Sequence, residues 1–415
     1  MFKILPIHGG VCAAEGFYAN GVSAGLRGND QPDVAYIYSD AMCEVDAVFT
    51  ENKFQAAPIA HFKELGDFQT NFVLVNAKNA NAMTGAKGVE DVKELLGGLI
   101  AKYPQIKNPV MSSTGVIGVR LPKEKIATTF DKFDLSAKDG DCAARAIMTT
   151  DRWKKEIALK VELEDGRSFK VGAMAKGAGM INPNLATMLC FIATDADMPK
   201  DDIKELLAEV SHTTFNAISV DGDTSTNDTV MVLANKKSGV YSKDAMKEAL
   251  KVVMHNLATS MVKDGEGATK LCAFRVKGAK SAADAEKAVR MAAQCLTSRR
   301  ADQLLRTLLF ALQDRCTRAL TPKNQVRIQG CELVAGARAA KPRQPRAVAA
   351  AIGQSITGSV GEAAPMHCEA HDPPITMPSA CNALSFEGAA QARKPLHLLP
   401  TRKRTWRTSS KPSTN

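Results

Sequence analysis

This 415-residue chain lacks a CxxC pair among its ten cysteines, any apolar run approaching the roughly 18 residues that span a bilayer, and any charge excess over its first 290 residues. Scattered cysteines without paired spacing point to reduced thiols rather than a disulfide framework. The start, Met1-Phe2-Lys3-Ile4-Leu5-Pro6, has no apolar core of signal length. The expectation is a cytoplasmic protein without a membrane anchor, long enough for two or three domains.

Residues 1–290 hold 36 Lys and Arg against 37 Asp and Glu, whereas residues 291–415 hold 18 against 7, so the formal charge of +10 arises in the last third. Arginine overtakes lysine there, and ten of the 18 prolines fall there. Such a step marks an appended segment or a break in the reading frame. Within it, Leu304, Leu305, Leu308, Leu309 and Leu312 have helical spacing, and residues 339–415 are disorder-prone in composition. Arg402-Lys403-Arg404 near Trp406 leaves a nucleic-acid-binding reading open, although no binding fold surrounds the run. His367, Cys368 and His371 have metal-like spacing but no further ligands beside them.

Along the first part, glycine-rich turns alternate with short apolar runs such as Val34 to Tyr38 and Val48 to Thr50. Phe72 to Val75 reads as a buried strand, Asn76 to Ala82 as a loop entering a helix, and Val92, Leu95, Leu96, Leu99 and Ile100 as a helix over Glu90 to Tyr103. Ser112 to Gly118 is a Ser/Thr/Gly turn whose hydroxyls and N–H groups suit either an ordinary turn or the holding of developing negative charge. Ile157 to Leu163, the turn Asp165-Gly166 and Phe169 to Val171 form a hairpin. Asp201 caps a helix, a second helix follows Ser242, and Leu271 to Val276 reads as a strand. The oxygen-rich segment Val220 to Thr229 suits a cation or, lacking the glutamate that closes an EF-hand loop, turn and capping duties. Asp264 to Lys270 is a flexible loop whose acids suit an ammonium or a cap.

The hairpin's return strand runs into Gly172 to Cys190, around which the chain is organised. Glycines 172, 177 and 179 and Pro183 surround one lysine, Lys176, before Ala186-Thr187 opens the buried run Met188 to Ile192. A strand threonine serves packing through its β-branch. A threonine freed at its own amino group is instead a nucleophile with a built-in base, because an α-amine titrates near neutrality.

Taken in order, several segments resemble the ornithine acetyltransferase family, the bifunctional glutamate N-acetyltransferases of arginine biosynthesis. They are Gly9 to Val11, Ala56 to Pro58, Asn79 to Ala82, Ser113 to Gly118, Met148 to Asp151, Lys176 to Leu189, Asp221 to Asp228 and Asp264 to Lys270. The resemblance covers about residues 1–290. Lys78 stands where the family usually has glycine, and residues 291–415 carry neither the Asp-Pro-Asn-Trp-Gly-Arg motif nor the terminal substrate-binding Asn and Thr/Ser.

The resemblance implies a mixed-sheet, layered α/β fold of the self-processing, N-terminal-threonine type. Self-cleavage between Ala186 and Thr187 would give an α-chain region, 1–186, and a β-chain region, 187–290, held together as α2β2, while the composition break makes 291–415 an out-of-frame or fused replacement. Thr187 matches the nucleophile, Thr114 and Gly115 the oxyanion hole, and Thr149 or Thr150, Lys176 and Glu266 the substrate-binding positions. The implied reaction moves acetyl from N2-acetylornithine to glutamate with neither metal nor cofactor, and acetyl-CoA stays open as a further donor. Among enzymes, an N-terminal-threonine hydrolase such as an aminopeptidase is the alternative.

Overall fold

The computed structural model describes residues 1–28, 30–182, 188–268, 271–274, 276–277, 279 and 281–296, with the short segments 327–328 and 349–352. All of these fall in one unit, Met1–Thr357. The chain runs β1 (Phe2–Ile7), β2 (Phe17–Val22), β3 (Val34–Phe49), α1 (Ala57–Glu64), β4 (Gln69–Asn76), α2 (Gly85–Lys102), β5 (Val110–Ser113), α3 (Lys123–Ala127) and α4 (Gly140–Ala146). It continues with β6 (Lys155–Leu163), β7 (Ser168–Lys176), β8 (Leu189–Thr194), α5 (Lys200–Thr213), β9 (Ile218–Ser219), β10 (Thr229–Ala234) and α6 (Lys243–Lys263). Then come β11 (Leu271–Phe274), β12 (Val276–Lys277), α7 (Ala282–Leu296), β13 (Arg327–Ile328) and β14 (Ala349–Ile352).

One mixed sheet in the order β1-β6-β7-β8-β10-β3-β4-β5, with β2 also on β3, carries the fold. Its neighbours are antiparallel except for the parallel pairs β8–β10 and β4–β5. The central strands are buried on both faces, which is why they read as unbroken apolar runs. Alternate residues go to different cores: Val171, Ala173, Cys190, Ile192, Val230 and Val232 pack with α5 and α6. Their neighbours Met174, Leu189, Phe191, Met231 and Leu233 join α4 on the opposite face. At the β3–β4 end, Tyr36, Phe72 and Leu74 pack under Val92, Leu95 and Leu99 of α2. This is the mixed-sheet, layered α/β arrangement expected. No helix among the described residues is long and apolar enough to cross a membrane.

Several local readings change. The runs Val34 to Tyr38 and Val48 to Phe49 are the two ends of one strand, β3, whose register shifts between Tyr38 and Cys43. Its polar middle is an irregularity that lets β2 pair with the first half and β10 with the second. Asp201 is not the cap of α5: Pro199 holds that position without a side-chain hydrogen bond, and Asp201 and Asp202 lie in the first turn, where carboxylates complement the helix dipole. The helix expected over 90–103 begins at Gly85. Ser242 does cap α6, accepting from the Ala245 N–H. The strand expected over 271–276 is divided into β11 and the start of β12. From the last third, β14 lies between β9 and β11, and β13 pairs with β12.

Candidate active site

The Ser/Thr/Gly turn leaves the end of β5 and is held against the loop that follows β4. Thr114 N–H donates to Asn76 O (3.0 Å), Val116 N–H to Lys78 O (3.1 Å) and Ala80 N–H to Val116 O (2.9 Å). Asparagine side chains complete the lacing: Asn76 Oδ1 accepts from Ser113 Oγ (2.7 Å), and Asn227 Nδ2 donates to Ala80 O (2.6 Å) and Ser113 O (2.8 Å). Gly115 has φ of +136°, and a Cβ there would lie 2.1 Å from the Lys78 carbonyl carbon, so only glycine fits. Lys78 itself has φ of +70°, in the left-handed region that glycine favours.

Lys176 ends β7 with its side chain buried, and its Nζ donates to Thr114 Oγ1 at 3.2 Å. Burial pushes this ammonium down from its ordinary pKa. The Asp151 carboxylate opposes that shift, Lys155 adds to it, and Asp228 and Glu266 oppose it. A buried cation on the hydroxyl beside Gly115 makes this turn electropositive, the condition under which oxyanion donors gain strength.

Asp151 binds the other expected positions into one unit. Its Oδ1 accepts from Gly177 N–H (2.8 Å) and Lys155 Nζ (2.7 Å), and its Oδ2 accepts from Thr149 N–H (3.0 Å). Burial alone would raise its pKa, but the Lys176 and Lys155 ammonium groups and the Gly177 N–H hold it below the usual carboxylate range. Lys155 Nζ also donates to Asp264 Oδ2 (2.7 Å), and Arg152 Nε to Asp264 Oδ1 (2.9 Å). Two residues on, Glu266 N–H donates to Ala178 O (2.7 Å), and a Cβ on Gly179 would lie 2.5 Å from Glu266 Oε1. The structure therefore joins Thr114, Lys176, Thr149 and Glu266 through three turns. Thr150 is exposed beside them. Arg27 Nη2 fixes the segment before Thr149 by donating to Met148 O (2.6 Å) and Ala146 O (3.1 Å).

Ala186 and Thr187 lie outside the described residues, as do Leu304 to Leu312, His367, Cys368, His371 and Arg402 to Trp406. The flanks of 183–187 are described. Met188 N–H donates to Asp228 Oδ1 (2.9 Å), and Leu189 is the cross-strand partner of Lys176. The Asp228 side chain is fully buried, and burial raises its carboxyl well above the usual range against the Met188 N–H and nearby Lys176. Asp221 accepts from Met180, Ile181 and Asp223 N–H groups, so the oxygen-rich segment performs turn duties.

Sequence reasoning gave no role to Asp151, Lys155, Asn76 or Arg27, and it left Asp264 as a loop acid suited to an ammonium or a cap and Asn227 within the oxygen-rich segment. The only local signal was the spacing of Asp151 and Lys155 by four residues; the partners lie far apart in the chain.

The ArgJ family model matches residues 18–310. An arginine biosynthesis bifunctional protein ArgJ from Wolinella succinogenes is 59% identical over 291 residues, covering 70% of this chain and 74% of that protein. The protein of that name from Oceanobacillus iheyensis is 42% identical over 235 residues, covering 56% of this chain and 57% of its own length. Of solved structures, an ornithine acetyltransferase from Mycobacterium tuberculosis complexed with ornithine is 30% identical, covering 46% of this chain and 100% of that one, with a TM-score of 0.39.

Proposed function

This chain belongs to the ArgJ family, and on that premise we propose that it moves an acetyl group from N2-acetylornithine to glutamate after cutting itself between Ala186 and Thr187. The observation that carries the reading is the Lys176 ammonium buried against Thr114 Oγ1 beside Gly115, at the end of the strand paired with β8.

In self-cleavage, Thr187 Oγ attacks the Ala186 carbonyl, its proton passes to the departing Thr187 nitrogen, and water hydrolyses the resulting ester. The freed α-amine then serves as the base. Thr187 Oγ attacks the acetyl carbonyl, the oxyanion is held by the Thr114 hydroxyl and the Gly115 N–H, and ornithine leaves carrying the proton on its α-amine. Glutamate's α-amine attacks the acetyl ester, and the threonine hydroxyl is restored as N-acetylglutamate departs. Lys176 meets a substrate carboxylate, Glu266 an ammonium, and Thr149 or Thr150 hydrogen-bonds the substrate backbone. No step needs a metal or cofactor. Acetyl-CoA is proposed as a second donor for glutamate. The fragments 1–186 and 187 onward stay together, proposed as α2β2.

The test is ornithine release from N2-acetylornithine by the purified chain, with and without glutamate, beside Thr187→Ala. Release that requires glutamate and is absent in the variant is expected. Equal release without glutamate would replace transfer by hydrolysis. Supplying acetyl-CoA in place of N2-acetylornithine reads the second donor directly.

A further inference from the structure

One loop touches both flanks of residues 182–187. Upstream, Met180 N–H donates to Asp221 Oδ2 (2.5 Å) and Ile181 N–H to Asp221 Oδ1 (2.9 Å), while Val220 N–H donates to Ile181 O (2.8 Å). Met180 has φ of +56°, a conformation that asks for such anchoring in a non-glycine residue. Downstream, Met188 N–H donates to Asp228 Oδ1 (2.9 Å) and Thr229 N–H to Met188 O (3.0 Å).

The loop is itself moored. Thr50 N–H donates to Asp228 O (3.0 Å), Thr50 Oγ1 to Ser225 O (2.7 Å), and Ala56 N–H to Thr226 O (2.9 Å). Between the two aspartates, Asn227 reaches Ala80 and Ser113, the backbone on which the Thr114–Gly115 turn rests. Asp228 Oδ2 has no hydrogen-bond partner among the described residues although the side chain is fully buried.

We propose that Asp221 and Asp228 are positioning residues for self-cleavage: they hold the two flanks of 182–187 at a fixed separation and, through Asn227, in register with the Thr114–Gly115 turn. The inference rests on Thr187 as the self-cleaving nucleophile. Each aspartate acts by accepting backbone N–H groups, so an amide that preserves an acceptor should preserve part of the effect. Alanine, which preserves none, should not.

The experiment follows the first-order cleavage of freshly translated full-length chain by intact mass, with melting curves of each variant to establish folding. Asp228→Ala, which removes the acceptor for Met188 N–H, and Asp221→Ala, which removes those for Met180 and Ile181 N–H, should each slow cleavage by about tenfold or more. Asp228→Asn keeps an oxygen for Met188 and should stay within about threefold of the parent, a difference worth under about 1 kcal/mol. Asp221→Asn retains one acceptor for two N–H groups and should be intermediate. Cleavage of both alanine variants at the parent rate would overturn the proposal, as would Asp228→Asn as slow as Asp228→Ala, which would mean proton transfer rather than positioning. Should Asp228→Ala fail to fold, Asp221→Ala, at an exposed position, decides alone. A folded parent chain that is never cut removes the nucleophile reading and this inference together. A parent that is cut, with Thr187→Ala uncut and the aspartate variants unaffected, removes only this inference.

Discussion

Replacing Lys155 by methionine takes the ammonium out of a site where Lys155, Asp151 and Asp264 all have 0% side-chain exposure. Its Nζ donates to Asp151 Oδ1 and Asp264 Oδ2, both at 2.7 Å, and methionine keeps most of the volume while removing every donor. Breaking a buried ion pair from one side costs about 3–5 kcal/mol. Here Asp264 keeps Arg152, and Asp151 keeps the Gly177 and Thr149 N–H groups, so the low end, about 3 kcal/mol, is expected. Denaturant unfolding of Lys155→Met beside the parent at neutral pH reads the difference. The change also has a pH signature. The folded Asp151 carboxyl lies below its ordinary value, so its contribution is present above the unfolded pKa of about 4 and is lost as pH falls through the lower folded value. Without Lys155 that folded value rises, and acid unfolding moves to higher pH. A variant within about 0.5 kcal/mol of the parent, unfolding in acid at the same pH, would refute the reasoning.

Gly115→Ala should abolish both self-cleavage and transfer, because its Cβ would lie 2.1 Å from the Lys78 backbone; intact mass and ornithine release read the two losses. Thr114→Val removes one proposed oxyanion donor and should lower kcat by about 10²–10³ with a smaller change in KM, measured on whatever fraction is processed. Lys78→Gly relieves a left-handed residue and should raise stability by up to about 1 kcal/mol, visible as a higher melting temperature. Resequencing the coding region of residues 291–415 should uncover an alternative frame encoding Asp-Pro-Asn-Trp-Gly-Arg; an uninterrupted original frame with no such alternative would make the segment a genuine extension.

Period and punctuation made the central elements legible. The run Met188 to Ile192 is apolar throughout because β8 is covered on both faces, and Asp165-Gly166 marked the turn that joins β6 to β7. The interruption in β3 misled because Ser39 to Cys43 has a turn-like look while the chain stays extended, its register shift absorbed by the sheet. The candidate site was legible where ordered motifs carried it, as at Thr114, Gly115 and Lys176. Asp151 was hidden for a physical reason, since a carboxylate becomes costly only once buried; Asp264 was legible as an acid suited to an ammonium, but its partner Lys155 was not, because 109 residues separate the two. Asn227 was hidden likewise, since an amide in a polar loop says nothing about carbonyls that approach it from residues 80 and 113.

A cut between β7 and β8 would fall between two neighbours of the same sheet. Val171–Lys176, before the break, pair with Leu189–Thr194, after it, and Glu44–Phe49 pair with Thr229–Ala234 in a second ladder between the same two pieces. The two pieces would then be partners whose interface is the protein's own interior, so dissociation and global unfolding become one event. Dilution would favour their separation, which could proceed only as fast as the fold opens, so their lifetime as a pair would be set by an unfolding barrier and the stability of the cut protein would depend on its concentration.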